Sequence, residues 1–123
     1  MRIEQQWTGE VLTLSLRGKL NTDEQRETLR ATVEQLVGQG HRKMVLDLGG
    51  LRRVNSQGLG TLLQCLRVVR QSGGELKLAA VTRRISDLIV IAGLLRVFDV
   101  YDTVTEAVRT FALVGLALFP VTA

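Results

Sequence analysis

Among the side chains able to do chemistry, one hydroxyl stands out: Ser56, within Asn55-Ser56-Gln57-Gly58-Leu59-Gly60. The run falls where a strand, Met44–Leu48, and its loop, Gly49–Val54, give way to a helix. That helix carries Leu59, Leu62, Leu63, Leu66 and Val69 on one face, the spacing of an amphipathic element. A serine at this junction adjoins unpaired backbone N–H groups and the positive end of the helix dipole. Two roles fit the place. The hydroxyl can cap the helix, or it can accept a phosphoryl group whose charge the helix start tolerates.

Nucleophilic catalysis does not fit. A serine nucleophile needs a base, and the one histidine, His41, precedes the strand rather than following it. The Gly-x-Ser-x-Gly elbow lacks its first glycine, because position 54 is Val54. No Gly-Lys-Ser/Thr follows to build a phosphate loop. Cys65, Asp47 and Asp99 form no evident cluster, and one histidine with one cysteine assembles no zinc or iron ligand set. The expectation is a protein that is not an enzyme and takes no cofactor.

The net charge of +4 raises the question of nucleic acid. Arg52, Arg53, Arg67, Arg70, Arg83, Arg84 and Arg96 are spread over several elements, and base-stacking aromatics are few. A solvated basic surface is expected instead, with no nucleic-acid partner. Cys65 cannot form an internal disulfide, fits a reducing compartment and reads as a small, partly buried helix residue. With no basic-then-apolar leader, the expected location is cytoplasmic.

The elements that must position Ser56 follow from periodicity. Ile3–Trp7 and Val11–Leu16 read as a hairpin turning at Thr8-Gly9-Glu10. Thr22-Asp23-Glu24-Gln25 reads as a capping box opening a helix with Leu29, Val33, Leu36 and Val37 inward, stopped at Gly38. After strand 43–48 and the serine helix to about Gln71, Ser72-Gly73-Gly74 turns into strand Glu75–Val81. A short helix, Arg83–Ala92, ends at Gly93; a last strand is expected around Val97–Phe98; and Thr103-Val104-Thr105-Glu106 reads as a second capping box. This order, β-β-α-β-α-β-α-β-α, predicts one α/β domain with a mixed, mostly parallel sheet, an N-terminal hairpin and about four helices. The domain is expected over residues 1–111, with an apolar extension at 112–123. The stretch Phe111–Phe119 is too short to span a membrane before Pro120, since spanning takes ~20 apolar residues. It reads as an extension of the last helix onto the sheet, as a contact patch for a partner or a second copy (a homodimer), or as a frayed end.

Leu46-Asp47-Leu48, Leu51, Val54, Asn55-Ser56-Gln57-Gly58-Leu59-Gly60 and Leu62-Leu63 together resemble the signature of the STAS domain of anti-sigma factor antagonists. Gly18-Lys19-Leu20-Asn21, Gly73-Gly74, Gly93 and Phe98-Asp99 match in order, so the resemblance runs from about Ile3 to Phe111. Asn55 and Asn21 stand where the family usually has aspartate. The resemblance implies a loop serine, here Ser56, phosphorylated by a partner that is both kinase and anti-sigma factor. The unmodified antagonist binds that partner and frees the sigma factor; the phosphorylated form lets go, and a phosphatase resets it. Asn21, Arg52, Arg53, Asn55, Ser56, Gln57 and Gly58 are the implied partner-binding residues, with Arg52 or Arg53 in reach of the phosphate. The competing reading keeps the fold without the switch: an unphosphorylated adaptor in a stressosome-like assembly or a lipid-transport ATPase complex.

Overall fold

The computed structural model describes residues 1–118, with side chains through Ala112. Strands β1 (Arg2–Thr8) and β2 (Val11–Leu20) form the antiparallel hairpin, turning at Gly9 with φ +59°. There follow α1 (Asp23–Gly38), β3 (Lys43–Val54), α2 (Ser56–Gln71), β4 (Glu75–Ala79), α3 (Arg83–Ile91), β5 (Val100–Tyr101) and α4 (Val104–Leu118). The sheet order is β1-β2-β3-β4-β5; the sheet is parallel from β2 onward, the mixed, mostly parallel arrangement that the sequence predicts.

Sequential strand order has a direct consequence. Crossovers of one hand, stepping always the same way across a sheet, put every connecting helix on the same face. The core on that face joins Leu12, Leu14, Leu16, Met44, Leu46, Leu48, Leu76 and Leu78 to Leu29, Val33, Leu62, Leu66, Val69, Ile85 and Ile89. Period-two alternation sends Val11, Val45 and Ala79 to the opposite face, where they pack with Ala107 and Phe111 of α4. The order of elements thus dictates a three-layer arrangement, with α4 alone behind the sheet.

Lys77 belongs to that second face and is 4% exposed. Its ammonium donates to Thr110 Oγ1 at 2.7 Å and lies 3.3 Å from the Asp99 carboxylate. It also stands 4.6 Å from the centre of the Phe111 ring. The Tyr101 hydroxyl donates to Asp99 at 2.8 Å. A buried charge must be paired and hydrogen-bonded to be tolerated, and these contacts meet that demand while fastening α4 to β4 and β5.

Three expectations change. Residues 49–54 are not a loop but the end of β3, because they continue pairing with Arg17–Leu20 of the long β2. The last strand lies at Val100–Tyr101 rather than Val97–Phe98; the amides of Val97 and Phe98 turn back to the Leu94 carbonyl, and Leu78 and Ala79 pair farther along. Cys65 is fully buried, and burial pushes its thiol up to about 12, so it remains a neutral core group. The Thr22 capping box is complete, with Gln25 Oε1 accepting from the Thr22 amide at 3.1 Å and Thr22 Oγ1 from the Gln25 amide at 3.3 Å. Of the second box, Thr103 Oγ1 accepts from the Glu106 amide at 3.1 Å. Helix α4 runs on to Leu118, while the readings of the apolar stretch as a packed, contacting or frayed segment rest on side chains and residues outside those described.

Candidate functional site

The end of β3 sets the geometry around Ser56. Gly18 pairs with Leu51 and Lys19 with Arg53, which leaves Arg52 unmatched as a bulge. A bulge re-aims the residues around it. Leu51 and Val54, three apart, therefore both reach the core, while Arg52 and Arg53 are exposed.

The chain then turns at Asn55, whose extended backbone (φ −95°, ψ 179°) precedes the first helical residue, Ser56. The N-cap is Asn55, not Ser56: its Oδ1 accepts from the Gly58 amide at 2.7 Å. The reading of the serine as the cap is therefore corrected. Asparagine caps as well as serine does, and it has a second group to use. The Asn55 amide donates to the Asn21 carbonyl at 3.3 Å, while the Asn21 amide donates to Gln25 Oε1 at 2.9 Å. These bonds tie the start of α2 to the start of α1. An aspartate at position 55 would retain the cap and lose the donor. Asn55→Ala should accordingly cost about 1 kcal/mol in urea denaturation, whereas Ser56→Ala should leave the midpoint almost unmoved.

Gly58 explains why α2 starts so close to β2. A Cβ built there would stand 2.2 Å from the Leu20 carbonyl oxygen, so no larger residue fits without moving backbone. Ser56 and Gln57, by contrast, are exposed, and Ser56 takes no part in the cap.

Beside this turn lies a cleft of about 270 Å³ lined by Asn21, Arg53, Val54, Asn55 and Arg84. It shares Val54 and Arg84 with a groove of about 400 Å³ along α3, where Arg83, Asp87, Leu88 and the 82%-exposed Ile91 complete the walls. Among the described residues, Arg52, Arg53, Arg83 and Arg84 form no ion pair. Of the residues picked from sequence, Asn21, Arg53 and Asn55 meet at the cleft; Arg52, Ser56 and Gln57 do not line it, Ser56 being the next residue after the lining Asn55, and Gly58 lies buried beneath. Arg84 was missed. The signal was available in Thr82-Arg83-Arg84, a capped helix start following the strand parallel to β3. Parallel neighbours deliver their C-terminal ends to the same edge.

His41 sits at the other end of β3 and packs edge-on against Trp7 at 4.8 Å between ring centres. A twelve-residue strand of ~3.3 Å per residue separates it from Ser56, so it cannot act as the serine's base. Among the described residues no three His, Cys, Asp or Glu side chains are grouped to hold a metal ion. Nor, among the described residues, is any helix long and apolar enough to cross a membrane. The arrangement is suited to presenting a hydroxyl beside a basic cleft.

Known proteins share this fold. The family model described as the STAS domain matches residues 2–107. The chain is 33% identical over 101 residues to a candidate anti-sigma factor antagonist, BtrV, of Bordetella bronchiseptica, covering 82% of this chain and 86% of that one. The fold is similar to a candidate anti-sigma factor antagonist of Thermotoga maritima, with TM-score 0.81, 23% identity, and 88% and 92% of the two chains covered. It is also similar to the Bacillus anti-sigma factor antagonist SpoIIAA in its unphosphorylated form, with TM-score 0.76, 20% identity, and 90% and 96% covered.

Proposed function

The chain belongs to the STAS domain family, and from that premise we propose that it is a phosphorylation-switched anti-sigma factor antagonist. It binds, in the cytoplasm, a protein that is both anti-sigma factor and serine kinase, through the surface formed by Asn21, Arg52, Arg53, Asn55, Ser56 and Gln57, with the buried Gly58 holding the turn beneath it. Binding sequesters that protein and releases its sigma factor. The partner transfers the γ-phosphoryl group of ATP to Ser56 Oγ, ADP leaves, and the hydroxyl proton passes to a base on the kinase. A phosphatase restores the hydroxyl. The antagonist itself binds and is modified, and catalyses nothing.

One observation carries this reading: Ser56 is exposed and has no structural duty, because Asn55 holds the cap. A hydroxyl kept at the surface and out of the cap is free for modification at no cost to the helix. Phosphorylation adds about −1.5 to −2 charge. The helix start accommodates it within the antagonist, while a packed interface would have to desolvate it, so the partner is released without refolding. That one of its structural neighbours, SpoIIAA, exists in both phosphorylated and unphosphorylated forms is in keeping with this.

The test uses wild type, Ser56→Ala and Ser56→Asp against the cognate anti-sigma factor. Wild type and Ser56→Ala should bind alike, and Ser56→Asp should bind at least tenfold more weakly, about 1.4 kcal/mol, with the fold unchanged by circular dichroism. Equal binding by all three would sink the switch and assign the chain to the adaptor reading.

A further inference from the structure

The cleft beside Ser56 is built from two distant parts of the chain. Arg53 comes from the end of β3 and Arg84 from the first turn of α3, and both line it with Asn21, Val54 and Asn55. None of the five lining residues is acidic: the polar ones other than the arginines, Asn21 and Asn55, bring amides. Two guanidinium groups on one small cleft repel each other, and among the described residues neither has a carboxylate partner. Such a site favours an anion, and guanidinium is the group best matched to phosphate oxygens. Ser56 follows Asn55 directly, is exposed, and sits at a helix start whose own dipole favours the same charge.

We infer that Arg53 and Arg84 form an intramolecular receptor for the phosphoryl group on Ser56. This rests on the proposed role of Ser56 as phosphoacceptor and extends the site to α3, an element that the serine motif does not reach. Its consequence is that phosphorylation does two things at once. It places negative charge on the rim, and it occupies the arginines that an acidic side chain of a partner would otherwise meet. It also couples the start of α2 to α3, whose groove with Leu88 and Ile91 opens from the same cleft.

The inference is tested on full-length protein carrying phosphoserine installed at position 56 during translation, with no partner present. Phosphorus NMR follows its second ionisation between about pH 4 and pH 8; free phosphoserine titrates near ~6. With both arginines present, the ionisation should fall by about one unit, a tenfold weaker hold on the proton. In Arg53→Gln/Arg84→Gln it should return close to the free value, and in Arg52→Gln, which removes the same charge outside the cleft, it should stay low. These side chains are exposed, so the fold should tolerate the changes. An ionisation near ~6 with the arginines in place would overturn the inference. So would a depression that survives the double substitution, since the helix dipole alone would then be its cause. Because no partner enters the titration, either failure leaves the partner switch standing. A Ser56→Asp protein that still binds its partner would, conversely, leave the titration unaffected.

Discussion

Leu66→Asp should leave no cooperatively folded protein at 25 °C, with no thermal transition and a far-ultraviolet spectrum without the native helix signal. Leu66 is 1% exposed and lies in the core between α2 and the sheet. Its removal alone, as in Leu66→Ala, should cost about 2–5 kcal/mol. An aspartate adds a carboxylate in a region whose neighbours are Leu62, Val69, Leu76 and other apolar groups, with nothing to pair it. Domains of this size hold only about 5–15 kcal/mol in total, so the two penalties together consume the margin. Neutral pH is the decisive condition, because at low pH the carboxyl can enter the core uncharged. A folded Leu66→Asp protein would show that α2 does not bury this face.

Gly58→Ala should be the most damaging single methyl addition in the site, destabilising by about 3 kcal/mol, the upper part of the range for overpacking. The added Cβ would stand 2.2 Å from a backbone oxygen of β2, and neither strand nor helix can rotate it away as a flexible side chain would. Relief requires the first turn of α2 to lift from Leu20, carrying the Asn55 cap and Ser56 with it. Gly60→Ala makes the contrast. Its Cβ would meet nothing within 4 Å, and it lies inside the helix, so alanine should add about 0.5–1 kcal/mol. Denaturation midpoints moving in opposite directions check both. Equal effects at the two glycines would show that α2 does not start against β2 as described. Partner affinity should fall for the first and persist for the second.

Much of the fold was legible because its signals are local. Alternation in Val11–Leu16, the capping box at Thr22 and the apolar stripe from Leu59 to Val69 each depend on residues within a turn or two, and each element is present. What failed depended on pairing. Gly49-Gly50-Leu51-Arg52-Arg53-Val54 has the composition of a loop, but a ten-residue β2 offers it a partner edge, and backbone hydrogen bonds override the glycines. The same holds for Val97-Phe98, whose apolar pair resembles a strand while the bonding edge of β4 meets Val100 and Tyr101 instead.

Within the site, the serine was visible and its duty was not. Asn55 and Ser56 are both good N-caps in isolation, and which of them caps is decided by where β3 releases the chain and by the Asn21 carbonyl waiting for a donor. Arg84 stood among seven scattered arginines until parallel pairing of β3 and β4 brought the two strand ends together. Lys77, in the body of a strand among leucines and alanines, gave no hint of burial until α4 closed over it with Thr110 and Phe111.

By itself, then, the sequence determined the order of the elements, the faces that α1 and α2 bury and the serine motif that marks the family, because these depend on periodicity and on neighbours along the chain. The tertiary structure alone decided which residue caps α2, where β3 ends, where β5 lies, which arginine joins the cleft and how a lysine is held in the second core. Those depend on groups more than twenty residues apart competing for the same hydrogen bonds, charges and space, and such competition is settled only once the sheet has brought them together.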